Sequence, residues 1–203
     1  MGRTKETFLM PHIHTEPGQH DITVSAYIVR TDEDEPLCLV HMHRKMGALM
    51  QAGGHIELDE TPWQTVGHEV PEETGFTLDE LKVAQHSDEN IEGDANIYHP
   101  TPFTLNTHNV GNGHYHTALC YGFTAEGPAK HAVAAGESDD QRWLTLAELR
   151  ALVQTGDALA DVYNVYEFFV RNLGTYALIS ATEFSLDNPT EIAATYKIGA
   201  PGE

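Results

Sequence analysis

Three glutamates near the middle of the chain could hold a metal ion. Glu69, Glu72 and Glu73 stand at positions i, i+3 and i+4 of a helix-like segment, so their side chains project from one surface. Each like-charged pair costs about 0.2 to 0.5 kcal/mol, and the segment contains no lysine or arginine. A divalent cation would reverse this repulsion, and carboxylate oxygens suit Mg²⁺ or Mn²⁺. An acidic helix face exposed to solvent is the alternative, and these three residues alone favour it.

The residues around the glutamates predict where their helix begins and ends. Thr61 is suited to the N-cap, Pro62 to the first helical position, and Gln64 to closing a capping box. Gly75 suits a left-handed C-terminal cap. We therefore expect a helix from about Pro62 to Thr74, with Trp63, Val66 and Val70 on its core face.

A longer pattern contains these glutamates. Gly54 is followed after five residues by Glu60 and after seven more by the run from His68 to Phe76, which includes Gly75. This spacing resembles the Nudix box, in which the second part reads Arg-Glu-apolar-any-Glu-Glu-any-Gly-apolar. Every specified position matches except the arginine, which is His68 here. The resemblance outweighs the explanation of a merely solvated acidic face.

Membership of the Nudix family would imply a fold, a reaction and a cofactor. The implied fold is an α/β/α sandwich with a mixed sheet between helices. The implied reaction is hydrolysis of a diphosphate linkage attached to a nucleoside or related group, with Mg²⁺ or Mn²⁺. By this resemblance Glu69, Glu72 and Glu73 would ligate metal together with the backbone carbonyl of Gly53. One of these glutamates or Glu137 would accept a proton from the attacking water, and the sequence does not choose among them.

Two residues depart from the family pattern. The family's arginine pairs with the glutamate that corresponds to Glu60, and His68 can replace it only when protonated or through one neutral hydrogen bond. We therefore expect a looser loop between Glu60 and the helix. Pro71 cannot donate the helical hydrogen bond that Gly67 would accept, so a kink could aim Glu72 and Glu73, or the site could be degraded.

Residues outside the box are candidates for substrate binding. Arg44 and Lys45 are the cations close upstream, and one of them is expected to contact a substrate phosphate, although a solvated pair explains them equally well. The segment from Ser87 to His114 is rich in Gly, Pro, Asn, Asp and His, and we expect an irregular loop that covers the substrate. His114 would then border the pocket.

Composition excludes several classes of partner. The chain has 203 residues, with 11 Lys and Arg against 31 Asp and Glu, a net charge of −20. This charge would repel nucleic acids and anionic membranes, so we expect a small nucleotide or diphosphate as partner. The N-terminus lacks an apolar signal, and Cys38 and Cys120 suit buried, reduced thiols, so a cytoplasmic location is expected.

The remaining sequence predicts one main fold unit. Strands are expected at residues 22–30, 36–42, 81–85 and 115–124, and at 176–179 with less support. Further helices are expected from Thr145 to near Gly156 and from Asp157 to Leu173. We divide the chain into an N-terminal extension (1–20), a Nudix-like catalytic domain (21–174) and a C-terminal extension or tail (175–203). Apolar residues of the last helix could serve a homodimer interface as well as the core.

Other functions fit parts of the sequence. The pairs His12/His14, His41/His43 and His114/His116 have strand spacing that could serve zinc, but polar strand faces explain them equally well and cysteines or a His-Glu-x-x-His motif are missing nearby. A non-catalytic Nudix-like ligand sensor would account for His68 and Pro71. An isoprenoid diphosphate isomerase on the same scaffold lacks a convincing catalytic cysteine.

Overall fold

One mixed β-sheet lies between two helical layers. The computed structural model describes residues 18–89, 91, 96–111 and 113–189. The strands are β1 His20–Arg30, β2 Leu37–His43, β3 Ala48–Met50, β4 Leu81–Gln85, β5 Thr104–Gly111, β6 His114–Ala125, β7 Gln141–Leu144 and β8 Ala177–Ser180. The helices are α1 Pro62–Thr74, α2 Leu146–Thr155 and α3 Ala160–Asn172.

The central strands β1 and β6 run parallel, and every other described strand pair is antiparallel. The main order is β3-β2-β1-β6-β4-β8, while β5 pairs with β6 and β7 with β2. Because successive side chains of a strand face opposite sides, Val24 and Ile28 of β1 pack with α1, whereas Tyr27 and Val29 pack with α2 and α3. The predicted α/β/α sandwich is confirmed.

Helix α1 has the predicted ends. The Thr61 side chain accepts a hydrogen bond from the Gln64 backbone, the Gln64 side chain accepts one from the Thr61 backbone, and Gly75 is left-handed with φ 76°. The helix continues through Pro71 to Thr74. Trp63 is fully buried against the sheet. The site glutamates therefore lie on a helix fixed at both ends and along its core face.

The segment before His114 differs from the prediction. We expected an irregular loop, but Thr104–Gly111 forms β5 and pairs with β6. Its side chains are mainly exposed and polar, so the strand lacks the apolar alternation by which half-buried strands are recognised. The predicted helix start at Asp157 was also early. Asp157 and Ala158 pair with Leu49 of β3, and α3 begins only at Ala160.

The chain after Gly174 packs on the same core. Strand β8 extends the sheet beside β4. Phe184 is buried against Trp63, whose indole N–H donates a hydrogen bond to the Phe184 carbonyl at 3.2 Å. The division at residues 20 and 175 stays a prediction. Residues 1–17 of the predicted N-terminal extension and residues 190–203 of the predicted C-terminal extension lie outside the described residues.

Two further expectations concern thiols and membranes. Cys38 and Cys120 are free and buried, as predicted, and burial raises the pKa of each thiol to about 12. Among the described residues, the helices are too short and too polar to cross a lipid bilayer.

Candidate active site

The Glu73 carboxylate lies between helix α1 and the glycine pair formed by Gly53 and Gly54. Glu73 is 8% exposed, and its Oε2 accepts a hydrogen bond from the backbone N–H of Gly53 at 2.8 Å. His41 Nε2 of β2 lies 3.7 Å from the same oxygen. Burial raises the pKa of Glu73 to about 8; the Gly53 hydrogen bond opposes this rise, and Glu69, Glu137 and Glu72 add to it. The Gly53 hydrogen bond therefore positions the carboxylate, but burial and the neighbouring glutamates disfavour its ionised form.

Glycine at position 54 makes room for Glu69. A Cβ atom at residue 54 would lie 1.8 Å from Glu69 Oε1, so any other residue would displace this carboxylate. Burial raises the pKa of Glu69, with further increases from Glu72 and Glu137 and an opposing effect from His68. Two carboxyl groups on one helix face thus share a site in which ionisation is unfavourable.

The loop before β7 brings Glu137 close enough to Glu69 and Glu73 to raise the pKa of both. Arg44 donates hydrogen bonds to the carbonyl oxygens of Gly136 and Glu137, the latter at 2.7 Å. The same loop is attached to the end of α1, because the Ala134 N–H donates to the Glu72 carbonyl at 2.8 Å. We call Glu69, Glu72, Glu73 and Glu137 the glutamate cluster.

His68 contacts the residue that the family pattern assigns to it. Its Nδ1 lies 3.1 Å from Glu60 Oε1, and its Nε2 lies 3.5 Å from Glu69 Oε1. Glu60 also accepts a hydrogen bond from the Thr65 hydroxyl at 3.0 Å. The histidine therefore links the loop before α1 to a residue of the glutamate cluster.

The predicted substrate residues lie in different places. Arg44 is near the cluster, but its guanidinium contacts the carbonyls described above, while the adjacent Lys45 is exposed. His114 lies at the start of β6, with its Nε2 3.0 Å from Asp21 Oδ2. Alternation along β6 places His114 on the α2 and α3 side of the sheet, away from the glutamate cluster.

Sequence reasoning missed two neighbours of Glu73. His41 was noted only as one of a histidine pair, and its approach to Glu73 depends on how β2 lies in the sheet. Gln141 donates a hydrogen bond from Nε2 to the Glu73 carbonyl at 2.7 Å. It reaches the helix because β7 pairs with β2, and no local motif signals that pairing.

The glutamate cluster suits a hard divalent cation. Its donors are oxygens, the ligands that Mg²⁺ and Mn²⁺ prefer. The carbonyl of Gly53 is a further candidate ligand at the same place. Gly53 has a φ of 144°, and a Cβ there would lie 2.2 Å from the Val24 carbonyl oxygen. Because Gly53 has no side chain, the backbone can pass close to β1 while the Gly53 N–H contacts Glu73.

Comparison with known proteins identifies the family. The family model of the NUDIX domain matches residues 20–165. The chain therefore belongs to the Nudix family, as its box predicted. A search of curated protein sequences finds no matching relative.

Solved structures show the same fold at low sequence identity. A NUDIX family hydrolase from Clostridium perfringens has a TM-score of 0.59 at 21% identity, covering 75% of this chain and 97% of its own. An Ap4A hydrolase from C. elegans has a TM-score of 0.57 at 15% identity, covering 76% and 98%. The NUDIX domain of Shewanella oneidensis NrtR, complexed with ADP ribose, has a TM-score of 0.54 at 18% identity, covering 76% and 89%.

Proposed function

We propose that this protein is a metal-dependent pyrophosphohydrolase that cleaves a diphosphate linkage in a nucleotide, or in a nucleoside diphosphate linked to another group. The convergence of four glutamates on the end of α1 carries this proposal. Glu69 and Glu73 are pressed against Gly54 and Gly53, and Glu137 is brought to them by a separate loop. Such a concentration of oxygen donors is expected at a site that binds cations and phosphate together.

The residues have distinct proposed roles. Glu69, Glu72, Glu73 and the Gly53 carbonyl would hold Mg²⁺ or Mn²⁺. When bound, the ion supplies positive charge against the phosphate oxygens and acidifies the attacking water. Glu137 or one of the ligating glutamates would accept the proton of that water.

Other residues would position the site and the substrate. His68 and Glu60 would brace the loop before α1. Lys45, which is exposed and adjacent to Arg44 in sequence, would contact a phosphate. Arg44 would do so only if it left its carbonyl partners. His114 remains a proposed border of the nucleoside pocket, although it lies on the other face of the sheet.

The setting of the reaction is also a proposal. Two buried thiols support a reducing, cytoplasmic environment, and the net charge of −20 favours small substrates over nucleic acids and membranes. A homodimer stays a prediction.

A substrate panel tests the function. The purified protein would be incubated with ADP-ribose, Ap4A, dihydroneopterin triphosphate and sugar nucleotides, with and without Mg²⁺ or Mn²⁺, and phosphate-containing products would be measured. We expect metal-dependent cleavage of at least one compound and its loss in Glu72→Gln, with Asp59→Asn as the exposed acidic control. Binding of a panel compound without turnover would instead favour a non-catalytic ligand sensor.

A further inference from the structure

A second group of potential metal ligands lies on the sheet face opposite to α1. Asp21 of β1, His114 and His116 of β6, and His55 of the segment after the glycine pair place one ligand atom each within 4.8 Å of all the others. We call these four residues the histidine cluster. We propose that the histidine cluster binds a divalent transition-metal ion of the Zn²⁺ class, at a site separate from the glutamate cluster.

The distances fit tetrahedral coordination. With Zn–N and Zn–O distances of about 2.0 to 2.1 Å, two ligand atoms of a regular tetrahedron are roughly 3.3 Å apart. Here His114 Nε2 lies 3.0 Å from Asp21 Oδ2, and His55 Nε2 lies 3.2 Å from His116 Nε2. His55 Nε2 lies 3.7 Å from Asp21 Oδ2. Three of the six separations thus lie close to the tetrahedral value.

The chemistry of the donors selects the ion. Three imidazoles and one carboxylate favour Zn²⁺ and related transition metals, whereas Mg²⁺ prefers oxygen ligands. The nitrogens of His55 and His116 face each other at hydrogen-bond distance. A cation between them would accept both lone pairs, and the Asp21 carboxylate would offset half of its charge.

The strand register explains why these residues meet. Asp21 pairs with His116 in the parallel β1–β6 ladder, and His114 is two residues before His116 on the same face. Thr23, two residues after Asp21 on β1, forms an antiparallel backbone bridge with His55. The His55 side chain therefore lies on the same face as Asp21 and next to it along the strand. Three backbone segments held by sheet hydrogen bonds thus present the ligands, which limits the rearrangement needed to bind an ion.

The sheet separates this site from the glutamate cluster. Gly54 lies against Glu69 on the α1 side, while the next residue, His55, points to His116 on the other side. The side chains are still accessible, because His55 is 22% and His114 is 14% exposed. An ion can therefore reach the histidine cluster from solvent without passing the proposed active site.

Zinc binding under excess magnesium tests the proposal. Chelator-treated full-length protein would be saturated with Mg²⁺, which fills oxygen sites, and titrated with Zn²⁺ by calorimetry. We expect one Zn²⁺ per chain and a loss of at least about tenfold in affinity for His116→Gln. Co²⁺ should give the visible absorption of a tetrahedral nitrogen-rich site in the wild type and lose it in this variant.

Matched variants keep the result interpretable. His20→Gln is the control, because His20 stacks on Tyr115 outside the histidine cluster, and it should retain Zn²⁺ binding. His55→Gln, which changes a residue of a different segment, should repeat the loss if His116→Gln misfolds by circular dichroism. Glu73→Gln should keep the Co²⁺ spectrum while losing hydrolysis, which separates this site from the proposed function. Absence of Zn²⁺ binding in the wild type, or binding unchanged in both histidine variants, would overturn the proposal.

Discussion

The guanidinium of Arg44 donates hydrogen bonds to the carbonyl oxygens of Gly136 and Glu137, which are 92 and 93 residues further along the chain. This contact fixes the loop that brings Glu137 to the end of α1. One of Arg44 and Lys45 was expected to contact a substrate phosphate. The carbonyl contacts of Arg44 suggest instead that it positions the Glu137 loop, and this role can be tested.

Arg44→Ala should lower kcat rather than raise only KM. Loss of charged hydrogen bonds worth about 1.5 to 3 kcal/mol would release the Glu137 loop and slow turnover roughly 10- to 100-fold. Arg44→Lys should restore little, because an ammonium cannot span both carbonyls as a planar fork does. Lys45→Ala is the adjacent control and should mainly change KM. Equal effects of the two alanine variants on KM, with kcat unchanged, would support direct phosphate binding by Arg44.

Gly54→Ala should disable the site with little change elsewhere. The new Cβ would occupy the place of Glu69 Oε1, so the carboxylate must move. We expect hydrolysis to fall at least about tenfold, a loss of about 1.4 kcal/mol in transition-state stabilisation. Gly174→Ala is the control, because nothing lies within 4 Å of a Cβ there. Wild-type rates in Gly54→Ala would mean that Glu69 is not held by this contact during catalysis.

The contribution of Glu73 to the stability of the metal-free protein should fall as pH rises from about 4.5 to 8. Burial raises the pKa of Glu73 from 4.5 to about 8, so the folded state binds more protons than the unfolded state in this window. The stability that Glu73 contributes is then fully present below its pKa in the unfolded state and is lost as pH rises through its pKa in the folded state. Urea unfolding with a chelator should show Glu73→Gln to be more stable than the wild type at pH 9, by an amount on the order of a few kcal/mol.

The control for the Glu73 measurement is Asp59→Asn, which changes an exposed carboxylate. It should follow the wild-type pH profile. Adding Mg²⁺ or Mn²⁺ should stabilise the wild type at pH 9 more than Glu73→Gln, because the cation compensates the buried charge. Partly buried histidines with lowered pKa values, such as His116, change the wild-type profile in the opposite direction, so the stability difference between Glu73→Gln and wild type is the test. A difference that stays constant from pH 5 to 9 would contradict the high pKa of Glu73.

His68→Arg should strengthen the contact between α1 and the loop before it. Guanidinium offers a permanently charged fork to Glu60, whereas imidazole carries a full charge only when protonated. We expect the variant to bind Mg²⁺ or Mn²⁺ at least as tightly as the wild type by calorimetry, while His68→Ala should show weaker metal affinity. His86→Ala removes a histidine beyond the helix and serves as control. Equal metal affinity in wild type, His68→Arg and His68→Ala would remove the bracing role.

Phe184→Ala should destabilise the whole domain. Phe184 is 7% exposed and contacts the fully buried Trp63, and truncating a buried phenylalanine typically costs about 3 to 5 kcal/mol. Chemical unfolding measures the loss. Leu178→Ala, an exposed leucine of β8, should change stability by less than about 0.5 kcal/mol. A small effect of Phe184→Ala would mean that the C-terminal segment is a dispensable extension.

Local sequence determined α1 and its glutamates because both caps and the Nudix box are encoded within a short stretch. The contacts of Arg44, His41 and Gln141 could not be predicted, since each depends on the register of strands distant in sequence. Strand β5 escaped notice because its exposed side chains show no apolar pattern. His114 and His116 were recognised as a pair, but only the parallel alignment of β1 with β6 adds Asp21.

The burial of Trp63 beneath the C-terminal segment gives the protein an intrinsic optical probe. Its indole is shielded by Phe184 and bonded to the carbonyl of that residue, at the opposite end of α1 from Glu73. Detachment of the segment would wet the indole and shift its fluorescence to longer wavelength. Trp143 is the other tryptophan of the chain, so emission from a Trp143→Phe variant can reveal whether movements at one end of α1 accompany ion uptake at the other.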